Sequence, residues 1–167
     1  DAPLLSVEDM MVRFDIKKTF LGKVTHRLSA VSKVSFDVYP GETLALVGES
    51  GSGKSTIGRT IQQLQKAQSG TIRFRGKSFA DMTAAELFKM RQEVQYIFQD
   101  PFASLDPRKT VGFSIAEPIN THRLLTNGKE VTKRVDELLE RVGLSSSVAS
   151  RYPHEFSGGQ RQRIAIA

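Results

Sequence analysis

The stretch Gly48-Glu49-Ser50-Gly51-Ser52-Gly53-Lys54-Ser55-Thr56 puts three glycines directly ahead of a lysine and two hydroxyl residues. Glycines let a backbone take positive φ and come close to a bulky anion, as is expected of Gly48, Gly51 and Gly53. Successive N–H groups then point inward, and a following helix adds the positive end of its dipole. Lys54 supplies a mobile point charge for outer phosphates, and the Ser55 hydroxyl is a hard oxygen of the kind that holds Mg2+. The flanks agree. Thr43-Leu44-Ala45-Leu46-Val47 is an apolar run of strand length, and Ile57-Gly58-Arg59-Thr60-Ile61 reads as helix. Strand, glycine-rich loop and helix form the context a phosphate-binding loop needs, and a flexible glycine-serine turn does not explain it. The chemistry is that of a nucleoside triphosphate site.

A second stretch, Tyr152-Pro153-His154-Glu155-Phe156-Ser157-Gly158-Gly159-Gln160, lies near the other end. Ser157 and Gln160 have capping-box spacing, so a helix is expected from Ser157 through Ile164-Ala165-Ile166. Two glycines in its first turn cost about 1 kcal/mol each relative to alanine. They suit a second bare anion site, where missing side chains let a phosphate approach.

The elements that must position these groups follow from periodicity. Residues 4–14 are strand-like at both ends, and Ala30 to Val38 alternates apolar with polar, so an antiparallel pair joined by a polar, basic loop is expected first. Tyr39-Pro40-Gly41-Glu42 reads as a turn and Thr43 to Val47 as the strand before the phosphate loop. Ser69-Gly70 reads as a turn, Thr71 to Arg75 as a strand, and Thr83-Ala84-Ala85-Glu86 as a capping box opening a helix with Leu87, Met90 and Val94 on one face. Tyr96-Ile97-Phe98 reads as a short buried strand. Beyond it come a loop from Phe102 to Arg108, a short helix from Thr110 to near Pro118 and a turn at Asn127-Gly128. An amphipathic helix then carries Val131, Val135, Leu138, Leu139 and Val142, with Gly143 at its end. The expectation is a nucleotide-binding α/β core over residues 1–101 and a helical subdomain over 102–167.

The totals set limits. The 167 residues suffice for a cored domain, and 39% hydrophobic with 25% charged residues is ordinary for a globular protein. With no Cys there is no disulfide and no thiolate metal site; His26, His122 and His154 are far apart in sequence. The net charge is +6, with early basic residues Arg13, Lys17, Lys18, Lys23, Arg27 and Lys33. No interleaved aromatic stacking platform accompanies them, so a solvated surface, or one near a membrane, is the reading rather than a nucleic-acid partner.

Phosphate loop, Gln99, and Phe156-Ser157-Gly158-Gly159-Gln160, in that order, resemble the phosphate loop, Q-loop and signature of ATP-binding cassette (ABC) ATPases. Phe156 stands where leucine is commoner, and Phe14 where the family places an aromatic, usually tyrosine, that stacks on adenine. The runs Phe98 to Arg108 and Arg151 to Arg163 are similar to the ATPases of dipeptide, oligopeptide, nickel and glutathione importers. The resemblance implies a P-loop NTPase core, an N-terminal antiparallel β portion, a helical subdomain, and ATP with Mg2+ as cofactors. ATP would contact Phe14, Gly48 to Thr56 and Gln99. Lys54 and Gln99 would serve hydrolysis, and Ser55 and Gln99 would hold Mg2+. Ser157, Gly158, Gly159 and Gln160 would face ATP bound by a second ABC ATPase domain, the same chain or another.

The resemblance further implies a motor for import of peptides or glutathione at the cytoplasmic face of a bacterial inner membrane. Its partners would be transmembrane permease subunits and, indirectly, a periplasmic solute-binding protein. The family continues past the signature with a strand ending in a Mg2+-binding Asp, then a catalytic Glu and a His. None follows Ala167, and Asp1 opens the chain, so the sequence is expected to be a fragment, an incomplete ABC ATPase domain inactive alone. Two other readings remain. A soluble ABC ATPase acting on nucleic acid or ribosomes would use the basic charge. A P-loop kinase would use Asp100 after Val94 to Phe98, but it leaves Ser157 to Gln160 unexplained.

Overall fold

The computed structural model describes residues 2–18 and 24–167. The tip of the expected basic loop, with Lys23, lies outside the described residues. The chain packs as two compact units, Asp1–Tyr96 and Ile97–Ala167.

The first unit is built on an antiparallel sheet. Strands β1 (Leu5–Lys18), β2 (Val24–Val38), β3 (Ser69–Phe74) and β4 (Lys77–Ser78) lie in the order β2-β1-β3-β4. The β1–β2 pair is the antiparallel pair expected from the sequence. Val7 and Met10 are both fully buried although three residues apart, which an unbroken strand would put on opposite faces. A bulge between them, with Asp9 at φ 47°, returns both to the core face. That face packs with Val12, Val31, Ile72 and Phe74 against Ile57 of helix α1 (Lys54–Ile61) and Met90 of α2 (Ala84–Glu93).

Four local expectations are corrected. Thr43 to Val47 forms no strand, and Leu44, Leu46 and Val47 are 40%, 41% and 93% exposed. Tyr96-Ile97-Phe98 is neither strand nor buried, with Ile97 56% exposed. Both are runs whose strand character needs a neighbour, and among the described residues neither has a ladder partner. Ser69 and Gly70 belong to β3 rather than to a turn, because Ser69 pairs with Met11. The loop after Pro101 begins with a helical turn, α3 (Pro101–Ser104), closed by the Ser104 hydroxyl donating to the Pro101 carbonyl at 3.0 Å.

In the second unit every regular element is helical. Helix α4 (Val111–Thr121) starts at the Thr110 cap and runs past Pro118. Pro118 removes one backbone donor, but Ile115 and Ile119 are buried, and the His122 N–H donates to the Pro118 carbonyl at 3.0 Å. Helix α5 (Gly128–Arg141) uses Asn127 as its N-cap and ends in a Schellman turn. Gly143 sits at φ 74° there, and the Leu144 N–H bonds to the Leu139 carbonyl at 2.9 Å. Two 3-10 turns, Ser146–Ser150 and Pro153–Glu155, lead to α6 (Gly158–Ile166). Val111, Ile115, Val135, Leu139, Leu144, Phe156 and Ile164 form one core.

The capping box of α2 is formed in full. The Thr83 N–H donates to Glu86 at 2.9 Å, and the Glu86 N–H donates to the Thr83 hydroxyl at 3.3 Å. The Lys77 ammonium at 2.6 Å, with the Thr83 N–H and the Thr83 hydroxyl donating to the same carboxylate, lowers the Glu86 carboxyl to about 2. A depressed carboxylate stabilises above its unfolded value of 4.5, and the contribution is lost as pH falls toward about 2. Urea unfolding of the full-length protein should show Glu86→Gln less stable than the unmodified chain at pH 6. The gap should close between pH 4.5 and pH 2.

Candidate functional site

The phosphate loop connects the unpaired run Thr43 to Val47 with α1. Gly51 and Gly53 take positive φ, 81° and 97°, as expected; Gly48 does not. At Gly48 a Cβ would lie 2.7 Å from the Ser52 hydroxyl, so a side chain there would turn that hydroxyl away from Lys54. The loop turns on a Ser52 N–H to Glu49 carbonyl bond of 3.2 Å. Gly53 is the N-cap of α1, no side chain caps it, and the first intrahelical bond is from the Ile57 N–H to the Gly53 carbonyl. The first-turn N–H groups at Lys54, Ser55 and Thr56 therefore face an anion-favouring helix start.

Lys54 folds across the loop. Its ammonium donates to the Gly48 carbonyl at 2.7 Å, the Glu49 carbonyl at 2.6 Å and the Ser52 hydroxyl at 3.2 Å. Three loop oxygens thus hold the cation over the same turn whose N–H groups draw an anion. Ser55 is exposed in the first turn of α1, where its hydroxyl oxygen fits the hard-donor set of Mg2+.

The loop is held from behind. A Cβ on Gly53 would lie 2.3 Å from the Ala30 carbonyl of β2 and 3.3 Å from a Val31 methyl. Further along α1, a Cβ on Gly58 would lie 2.9 Å from the Tyr96 ring, and the Gln62 amide donates to the Val94 carbonyl at 3.1 Å. The sequence reading missed Gly58 and Tyr96 as packing partners. The available signal was a glycine inside a helix, which costs stability unless something approaches it closely.

Phe14 lies on β1 opposite Leu28 and is 37% exposed. Two residues back, Val12 pairs with Val31, the residue that touches Gly53. The hairpin therefore brings the stretch carrying Phe14 alongside the β2 segment that backs the phosphate loop. Gln99 and the Ser157 stretch belong to the second unit. Gln99 is exposed in a bend just ahead of α3. Ser157 caps α6, with its hydroxyl accepting from the Gln160 N–H at 3.3 Å and Gln160 accepting from the Ser157 N–H at 2.9 Å. Phe156 is buried in the second core, so the stretch is anchored on one side. On the other side, a Cβ built on Gly158 or Gly159 meets nothing within 4 Å.

A glycine loop entering a helix, an antiparallel strand pair at its back and a capped double glycine in a helical unit define a nucleotide-binding cassette. The sequence profile of the ABC transporter family matches residues 31–167, and the chain belongs to that family. It is 55% identical over 165 residues to the glutathione import ATP-binding protein GsiA of Escherichia coli O6:H1, across 99% of this chain and 26% of that protein. The protein of the same name in Shigella dysenteriae serotype 1 is 54% identical over the same shares. The chain thus spans 26% of the length of these relatives.

Among solved structures, the dimeric ATP-binding cassette MJ0796, in a post-hydrolysis state bound to ADP and Pi, superposes with a TM-score of 0.83 at 27% identity. That match covers 97% of this chain and 67% of that one. The CbiO1 protein of Clostridium perfringens, part of the ABC transporter complex CbiONQ, gives 0.71 at 26% identity, covering 99% and 60%. The fold is the α/β P-loop NTPase fold of such cassettes.

The glycines separate by what surrounds them. Gly53→Ala combines a left-handed φ with a backbone clash and should cost about 2 kcal/mol or more. Gly51→Ala meets nothing within 4 Å, so it carries φ strain alone, about 1 kcal/mol. Denaturant midpoints of the two variants at full length should differ in that order.

Proposed function

We propose that the protein is the ATP-binding and ATP-hydrolysing motor of an ABC importer for peptides or glutathione. Residues 1–101 act as the nucleotide-binding core and 102–167 as a helical subdomain. The triphosphate lies in the loop Gly48 to Thr56, where Gly51 and Gly53 expose N–H groups and Lys54 trades its loop carbonyls for phosphate oxygens. The Phe14 ring stacks on the adenine. Ser55 would offer an oxygen ligand to Mg2+, with Gln99 as a further proposed ligand, and the ion would supply charge neutralisation of the phosphates when bound. Phosphoryl transfer asks for positioning and electrostatics more than covalent work, and these residues supply positioning.

The observation that carries the reading is the second glycine pair. Gly158 and Gly159 sit at a capped helix start, and among the described residues nothing comes near enough to explain their lack of side chains. A partner's phosphate does explain it. Two cassettes would meet head to tail, each signature facing the ATP on the other's loop. The relatives named for glutathione import supply the substrate class. The work is done at the cytoplasmic face of the bacterial inner membrane, with permease subunits as direct partners and a periplasmic solute-binding protein as an indirect one. Among the described residues no helix is long and apolar enough to cross a membrane.

Two variants of the full-length protein test this. Lys54→Ala removes charge-assisted bonds worth roughly 1.5–3 kcal/mol, so it should weaken ATP binding about tenfold or more and stop turnover. Unchanged steady-state hydrolysis removes the phosphate-loop assignment. Gly158→Asp sets a carboxylate against the partner's phosphate. ATP titration should find affinity for the single subunit retained, while sizing finds no ATP-driven dimer and hydrolysis is lost. A Gly158→Asp protein that dimerises with ATP and hydrolyses it normally ends the trans role. Uptake of labelled glutathione by cells carrying the intact protein, absent in the Lys54→Ala strain, separates the importer from a soluble ATPase.

A further inference from the structure

The rung next to Phe14 is made by a side chain. Strands β1 and β3 pair as far as Met11 and Ser69, where β3 begins. One residue earlier, the Gln68 backbone N–H donates to the Met11 carbonyl at 2.9 Å. Its side-chain amide then continues the ladder. The Gln68 amide nitrogen donates to the Arg13 carbonyl at 2.7 Å, and the Arg13 N–H donates to the Gln68 amide oxygen. One planar amide, with a donor and an acceptor side by side, thus satisfies both backbone groups of Arg13 as a paired strand residue would. On the other edge Arg13 and Phe14 lie against Ser29 and Leu28 of β2. Without Gln68, the segment bearing Phe14 would be held from β2 alone, across a register shift at Val12 and Arg13.

We propose that Gln68 is a positioning residue for nucleotide binding, holding the backbone of β1 so that the Phe14 ring is set for the base. This rests on the reading of Phe14 as the stacking ring. Gln68 acts through the backbone of Arg13, to which its amide is bonded on both sides. It is an exposed residue 55 positions from its partner, and neither local pattern nor the phosphate loop requires it.

The test separates base from phosphate. Titration of the full-length protein with ATP and with inorganic tripolyphosphate compares a ligand having a base with one that has only the phosphates. Phe14→Ala should weaken ATP and leave tripolyphosphate unchanged. Gln68→Ala should weaken ATP by about threefold or more, also with tripolyphosphate unchanged. The double variant should bind ATP no more weakly than Phe14→Ala alone, because both changes remove one contact. Gln68→Glu, which sets a carboxylate oxygen against the Arg13 carbonyl in place of the donor, should weaken ATP at least as much as Gln68→Ala. If Phe14→Ala is selective and Gln68→Ala changes neither ligand, or weakens both equally, the positioning role is wrong while the stacking reading stands. If Phe14→Ala leaves ATP binding unchanged, the stacking reading falls and the role of Gln68 falls with it.

Discussion

The close approach of Gly53 to the Ala30 carbonyl is the constraint on which the phosphate loop depends. A distance of 2.3 Å to a built Cβ means that only a residue without one can stand there. The same residue is the N-cap of α1, so the start of the helix is fixed against β2 by backbone alone. Ile57, four residues on, then faces the sheet core formed by Val7, Met10 and Val12. Loop, helix and sheet are set by a contact in which shape matters and side-chain chemistry does not. Such contacts keep a binding loop rigid without filling the space its ligand needs.

Local signals were legible wherever the physics was local. The boxes at Thr83 and Ser157 formed with the partners their spacing implied, because a cap involves residues three apart and nothing else. The core face of α5 followed from period alone, with Val135 and Leu139 buried. Strands were legible only where a partner existed. The β1–β2 pair was found, whereas Thr43 to Val47 and Tyr96 to Phe98 have strand composition and, among the described residues, no ladder. Composition records a preference for pairing, and pairing is a property of two segments. Short elements such as β4 and α3 gave no period to read, at two and four residues.

At the site, residue types were legible and their neighbours were not. Three glycines of the loop looked alike in sequence, yet Gly48 borders the Ser52 hydroxyl, Gly51 is set apart by its φ, and Gly53 by both φ and a strand behind it. Lys54 was expected to meet anions, and the structure adds the loop oxygens that hold its ammonium. Gln68 and Gly58 carry contacts with residues 55 and 38 positions away (68 − 13 and 96 − 58), which no short pattern encodes.

The two glycine sites also differ in how a cell would experience damage to them. Gly53 is bound into the fold, so a lesion there raises the unfolded fraction, and proteases that patrol for unfolded chains remove the product. A side chain at Gly158 or Gly159 would meet nothing within 4 Å among the described residues. A lesion at either leaves a well-folded subunit that escapes this surveillance and persists at full abundance. On the proposed head-to-tail pairing it would occupy places that intact copies need, so its harm would spread by incorporation rather than by loss.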